Sequence, residues 1–200
     1  MRRIISSVAA ASCAFSLAAA ASLEQGEIDE LYRRGLAGDK AAVEQCIARL
    51  EESLETHPGN QLARVYLGSA YTLRSRDLGF GPKKLQVLRQ GVAVMNEALA
   101  AAPADPKVRL ARVLTIAAFP GILGYRAEAR KDFAELIAMA ERSPEKFERG
   151  DLQIVYFEAG NNAKSRGDKA MAEELWRKAA AHPANAALDA KVKAALNGGR

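Results

Sequence analysis

The chain has 200 residues, 49% of them apolar, and a formal net charge of +5 from 29 basic and 24 acidic side chains. That length can bury a sizeable core in one domain, and the apolar share excludes wholesale disorder. The charge excess is too small for a nucleic-acid footprint, so no nucleic acid is expected as a partner.

Residues 1–21 read as a secretory signal. Arg2-Arg3 precede an apolar run from Ile4 to Ala21 that ends in small residues, Ala18-Ala19-Ala20-Ala21-Ser22. A basic start, a weakly apolar middle and a small-residue end define such a leader, with cleavage expected near Ala20 or Ala21. The alternative is an uncleaved membrane anchor, although serines and alanines make the run weakly hydrophobic for a stable span. The mature chain is then expected outside the inner membrane, in a periplasm, and not integral to a membrane. Without Arg2 and Arg3 the balance is 27 basic to 24 acidic side chains. Cys46 is the one cysteine left, so an internal disulfide is excluded. Val43, Ile47 and Leu50 put it on an apolar helix face, as a buried thiol.

From residue 22 to 197 the pattern is helical throughout, and no stretch alternates long enough to form a sheet. The expected helices come in pairs: Leu23–Leu36 with Lys40–Thr56, Gln61–Leu73 with Lys83–Ala102, Pro106–Phe119 with Gly124–Arg142, and Asp151–Arg166 with Lys169–His182. A last helix, Asn185–Leu196, precedes a fraying tail, residues 198–200. One phrase punctuates the chain three times: Pro58-Gly59-Asn60, Pro103-Ala104-Asp105 and Pro183-Ala184-Asn185. Proline stops one helix, and the Asn or Asp two residues later accepts the free N–H groups that open the next. Recurrence of such a break implies stacked helical hairpins.

In the fourth pair, Gly160, Gly167, Ala172, Trp176 and Ala179 are spaced like the small and large signature positions of a tetratricopeptide repeat, with Tyr156 at the opening aromatic position. Leu67, Gly68 and Tyr71, then Gly91, Met95, Ala98 and Pro103, repeat the pattern in the second pair. The chain therefore resembles the tetratricopeptide-repeat family, with divergent repeats. The resemblance implies an all-α fold, a right-handed α-solenoid of about four hairpins plus a C-terminal helix. It also implies that small residues such as Gly68 and Gly160 let paired helices approach while Tyr71, Met95 and Trp176 fill the gaps.

The departures from that pattern mark the candidate sites. The second repeat is about eleven residues longer than the family spacing, and the excess falls at residues 72–84. A second unusual turn spans residues 119–126. Both lie between the first and second helix of a hairpin, so both belong to one edge of a solenoid. The first carries Arg74, Arg76, Phe80, Lys83 and Lys84, suited to a carboxylate, phosphate or headgroup or to simple solubility. The second carries Tyr125. Arg109 and Arg112 lie one turn apart, and Arg112 replaces a residue that the family packs inside. It must pair with a carboxylate or point into a groove. Asn161 and Lys164 belong to the fourth pair's first helix, where amides in this family often hold peptide backbone.

No catalytic constellation emerges. His57 and His182 both precede turn prolines, and with Cys46 alone beside them no metal set forms. No serine sits in a nucleophile turn, and no glycine-rich phosphate cradle appears. The leading expectation is an exported, non-enzymatic scaffold without cofactor, binding a protein or peptide in the groove of the first helices. Arg109, Arg112, Asn161 and Lys164 would orient that partner, and Leu110 and Leu114 would supply apolar contact. The alternative is a carrier for a small apolar or anionic ligand, in a cavity capped by residues 72–84 and 119–126. Self-association through the last helix to form a homodimer, and its folding back on the domain, both fit the sequence.

Overall fold

The computed structural model describes residues 25–198, which form nine α-helices and two short 3-10 turns without a strand. The leader assigned to residues 1–21 lies outside the described residues, as do the last two residues of the tail. Residues 25–36 form α1, followed by α2 (Lys40–Thr56), α3 (Gln61–Asp77), α4 (Pro82–Ala101) and α5 (Pro106–Ala117). After a 3-10 turn at Gly121–Leu123 come α6 (Arg126–Arg142), a second 3-10 turn at Pro144–Lys146, α7 (Arg149–Ser165), α8 (Lys169–Ala180) and α9 (Ala186–Asn197).

The repeated break does what its chemistry requires. Asn60 accepts from the Ala63 N–H, Asp105 from Lys107 and Val108, and Asn185 from Ala187 and Leu188. Asp39 and Asp168, each just after a left-handed glycine, cap α2 and α8 in the same way. Each such cap is worth about 1 kcal/mol.

Consecutive helices pack as antiparallel hairpins, and the first helices α1, α3 and α5 lie side by side. Tyr32 on α1 meets the Ser69 hydroxyl on α3 at 2.6 Å, and Ser69 meets Thr115 on α5 at 2.7 Å. Glycines set the closest crossings. A β-carbon on Gly68 would stand 2.6 Å from the Gly91 carbonyl, and one on Gly160 would meet the Trp176 ring at 2.6 Å. Only hydrogen fits at either place.

The core has two parts. Ile28, Leu31, Val43, Cys46, Ile47 and Leu50 of α1 and α2 pack with one face of α3. Burial pushes the Cys46 thiol up to about 11, which keeps it protonated and inert at neutral pH. The larger cluster runs from Val65 through Met95, Val113, Leu136 and Trp176 to Val192 on α9. That last helix folds back: fully buried Gln153 donates to Asp189 at 2.5 Å and accepts from the Ala184 N–H at 3.2 Å.

The insertion at residues 72–84 is not a long loop. The α3 helix runs on to Asp77, because the Thr72 and Ser75 hydroxyls donate to carbonyls three residues back and Arg74 pairs with Glu44 of α2. The true connection is residues 78–81, and the excess lengthens the hairpin. Eight residues of α3 follow Ser69 but only two of α5 follow its neighbour Thr115, so α3 overshoots α5 by roughly 9 Å.

Candidate functional site

The inner face is lined by the first helix of each hairpin. On α7 the half-buried Asp151, Ile154, Glu158 and Asn161 recur at helical spacing, and on α5 Lys107, Ala111 and Leu114 do the same. Beneath them the floor is hydrogen-bonded across three helices through Tyr32, Ser69 and Thr115, and Thr115 closes onto the Ala111 carbonyl at 2.9 Å. Tyr66 of α3 stands edge-on to Tyr32, ring centroids 5.3 Å apart. Its hydroxyl has no hydrogen-bond partner among the described residues. Burial, and then the nearby Tyr32, Asp29 and Asp151, push it up to about 12. Asp151 is itself raised by burial, while Lys107, held by its hydrogen bond to Glu148, is raised and stays charged. The face is thus aromatic and mildly acidic, with a fixed floor.

Arg109 and Arg112 point away from that face. They fill the base of a cleft on the opposite side, between α4 and α6, with a volume of about 460 Å³ and walls that include Asn96, Leu99, Glu128 and Glu135. Arg112 is only 5% exposed and Asp132 of α6 only 3%. The guanidinium of Arg112 donates to Asp132, to Glu128 at 2.6 Å and to Asn96 at 2.8 Å. Arg109 donates to the other Asp132 oxygen at 2.9 Å and to the Pro103 carbonyl at 2.9 Å. Two guanidiniums therefore share one buried carboxylate, and Arg112 resolves to the carboxylate-paired alternative. A second cleft of about 360 Å³ adjoins it, between Pro103, Arg109, Arg142 and Lys146. Neither cleft is walled by residues 72–84 or 119–126. Leu110 is buried in the core, whereas Leu114 is exposed on the inner face.

The other candidates do not converge. Arg74 lies over the Tyr71 ring at 5.5 Å while pairing with Glu44. Arg76 donates to the carbonyls that end α1, Gly35 at 2.9 Å and Leu36 at 3.4 Å. Lys84 closes the end of α3 through the Arg76 and Leu78 carbonyls at 3.0 and 3.2 Å. Lys83 and Phe80 project at the hairpin tip, both exposed. Tyr125 packs edge-on against Phe119, 5.4 Å between centroids. Asn161 donates to Glu158 at 3.1 Å on the inner face, and Lys164 sits over the Trp176 ring at 5.4 Å. Sequence reasoning missed Tyr66, which reads as core, and Asp151. The spacing of Asp151, Ile154, Glu158 and Asn161 was the available signal for the inner face.

Neither histidine joins a cluster: His57 lies beside the Thr56 hydroxyl at 2.9 Å, and His182 stacks on Tyr156 at 5.8 Å. Among the described residues no group of three His, Cys, Asp or Glu side chains stands close enough to hold a metal ion. No described helix is long and apolar enough to cross a membrane.

Paired antiparallel helices, glycine crossings within the pairs and first helices aligned on one face define a tetratricopeptide-type helical-repeat fold. In structure the chain is similar to a thermophilic TPR protein from Thermus thermophilus, with a TM-score of 0.62, 19% sequence identity, and coverage of 85% of this chain and 81% of that one. No family model matches the sequence, and no curated protein matches it.

Proposed function

We propose that this chain is an exported, non-enzymatic scaffold that binds an extended segment of a protein partner along the inner face of its hairpins. The observation that carries the reading is Tyr66, whose hydroxyl is unengaged above a floor already fixed by Tyr32, Ser69 and Thr115. A fixed floor loses little conformational freedom on binding, and a tyrosine offers apolar area and a polar tip at low entropic cost. Asp29 and Asp151, from helices on either side of α3, favour a segment bearing Lys, Arg or free backbone N–H groups. Leu114 supplies an exposed apolar contact beside them.

The test is a photo-crosslinking residue placed at Leu114 and, as a control on the opposite side, at Lys131. One polypeptide joined in stoichiometric yield at position 114 and not at 131 supports the groove. Equal labelling at both positions would sink it. Export rests on the Arg2-Arg3 start and the apolar run that follows. N-terminal sequencing of the protein from intact cells is expected to begin at Ala21 or Ser22, and a chain still starting at Met1 would overturn that part.

A further inference from the structure

Large apolar side chains are not scattered over this surface. Phe80 is fully exposed and Ile122 is 94% exposed, and they occupy the α3–α4 and α5–α6 connections. Leu36 at the end of α1, Leu85 in the first turn of α4 and Met171 in the first turn of α8 are the next, and among the described residues only Leu114 lies elsewhere. Because the first helices run side by side in one direction, all of these lie on one edge of the solenoid. Arg76 shows the adjacency directly, since it sits on α3 and donates to the carbonyls ending α1.

That same edge is basic. Around the α3–α4 tip stand Arg76, Lys83, Lys84 and Arg89 against Asp77, which Arg76 already neutralises at 3.2 Å. Arg34 and Lys40 flank the first turn, Arg126 the third, and Arg166 and Lys169 the fourth, against Asp39, which pairs with Arg34 at 2.6 Å, Glu128 and Asp168, so cations stay in excess along the edge. At the opposite edge, around residues 57–60, 102–105, 143–148 and 181–185, cations and anions are nearly balanced once the flanking helix turns are included, and none of those exposed large apolar side chains is found there.

We propose that the edge formed by the within-hairpin connections docks on an anionic phospholipid bilayer, with Phe80 entering the headgroup–acyl boundary first and Ile122 following. The extended hairpin suits that task. The α3 helix overshoots α5 by roughly 9 Å, which sets Phe80 on a protruding tip between Gly79 and Gly81, both open to solvent. A protein hot spot is a contiguous cluster seated in a pocket. Here the apolar side chains are spread over four turns, two at the α3–α4 tip and one at each of the others, with cations between them, an arrangement that a flat, negatively charged interface accommodates. Attachment is peripheral, and it leaves the inner face free.

The test uses the full chain with Phe80→Trp and vesicles of phosphatidylglycerol mixed with phosphatidylcholine. Emission from unsubstituted chain, which holds Trp176 alone, is subtracted. We expect a blue shift and quenching by brominated acyl chains with anionic vesicles, both lost with pure phosphatidylcholine or in high salt. The readout is local to the tip, so contributions from residues 1–21 do not enter it. In sedimentation, Phe80→Ser is expected to weaken binding at least about tenfold and Lys83→Gln about fivefold. Unshifted, unquenched emission at low salt would overturn the proposal, as would capture of a protein through Phe80 with no vesicle binding. Both variants change exposed side chains, and unchanged far-ultraviolet circular dichroism confirms the fold.

Discussion

Removing the Asp132 carboxylate is expected to be the most damaging single change to the charged side chains on the α4–α6 side. Asp132 is 3% exposed and holds both Arg109 and Arg112, whose side chains are 11% and 7% exposed. In Asp132→Ala both guanidiniums stay buried without their shared anion. Breaking a buried pair in this way costs about 3–5 kcal/mol. The lower end applies here, because Arg112 keeps Glu128 and Asn96 and Arg109 keeps the Pro103 carbonyl. A loss of about 3 kcal/mol corresponds to a fall in Tm of roughly 6–12 °C for a chain of this size. Urea unfolding followed at 222 nm measures it. Arg112→Met leaves the Arg109–Asp132 pair intact and fills the space with apolar volume, so it is expected to cost less than half as much. The double variant Asp132→Ala/Arg112→Met should be more stable than Asp132→Ala alone, since only Arg109 then lacks its anion. Additive losses, or a cost for Asp132→Ala below about 1 kcal/mol, would show that water already screens the network. Both arginines serve the domain's own packing, so their replacement reports on stability before it reports on any partner.

Gly68→Ala places a methyl group 2.6 Å from the Gly91 carbonyl, a backbone atom that cannot swing aside. It is expected to destabilise by about 3 kcal/mol, the top of the overpacking range, in the same urea assay. Gln153→Ala removes the buried amide that anchors Asp189 and the Ala184 N–H. A loss of about 2 kcal/mol should speed hydrogen exchange in α9 roughly thirtyfold while the α3–α4 amides stay protected. Alkaline titration gives a signed test. Tyr66 and Tyr71 are both pushed up to about 12, chiefly by burial, while unfolded tyrosine titrates near 10. Between those values the native chain binds more protons than the unfolded one, so stability falls as pH rises through that window. Absorbance at 295 nm should show Tyr66 and Tyr71 ionising late together with Tyr32 and Tyr156, which burial also raises, and a single step near 10 would contradict their burial.

Short-range chemistry made most of the fold legible in the sequence. A proline followed by Asn or Asp fixes a helix end and the next cap within four residues, and Asn60, Asp105 and Asn185 all form those caps. Gly68, Gly91 and Gly160 were readable for the same reason, since no larger residue fits a crossing that close. What stayed hidden depends on partners far along the chain. Thr72, Arg74, Ser75 and Arg76 look like the start of a polar loop, yet two hydroxyls bond back into α3 and the arginines reach Glu44 and the end of α1. The sequence poses the alternatives for Arg112, and only the packing of α6 on α5 brings Asp132 to it and chooses between them.

The same contrast separates the two surfaces argued above. On the inner face Tyr32, Ser69, Thr115 and Asn161 are hydrogen-bonded internally. The Tyr66 hydroxyl and the Asp151 carboxylate make no hydrogen bond to another side chain among the described residues, so the proposed recognition there works through a few fixed contacts. On the within-hairpin edge the apolar groups are left in solvent one or two per turn, an arrangement that neither folding nor core packing requires. Lengthening α3 and α4 together keeps the hairpin paired along its whole length while carrying Phe80 beyond the body of the domain. A solubilising insertion would need neither the helical extension nor an aromatic residue at its tip. The two surfaces face different ways, so a partner held on the inner face and a membrane beneath the edge can be engaged at once.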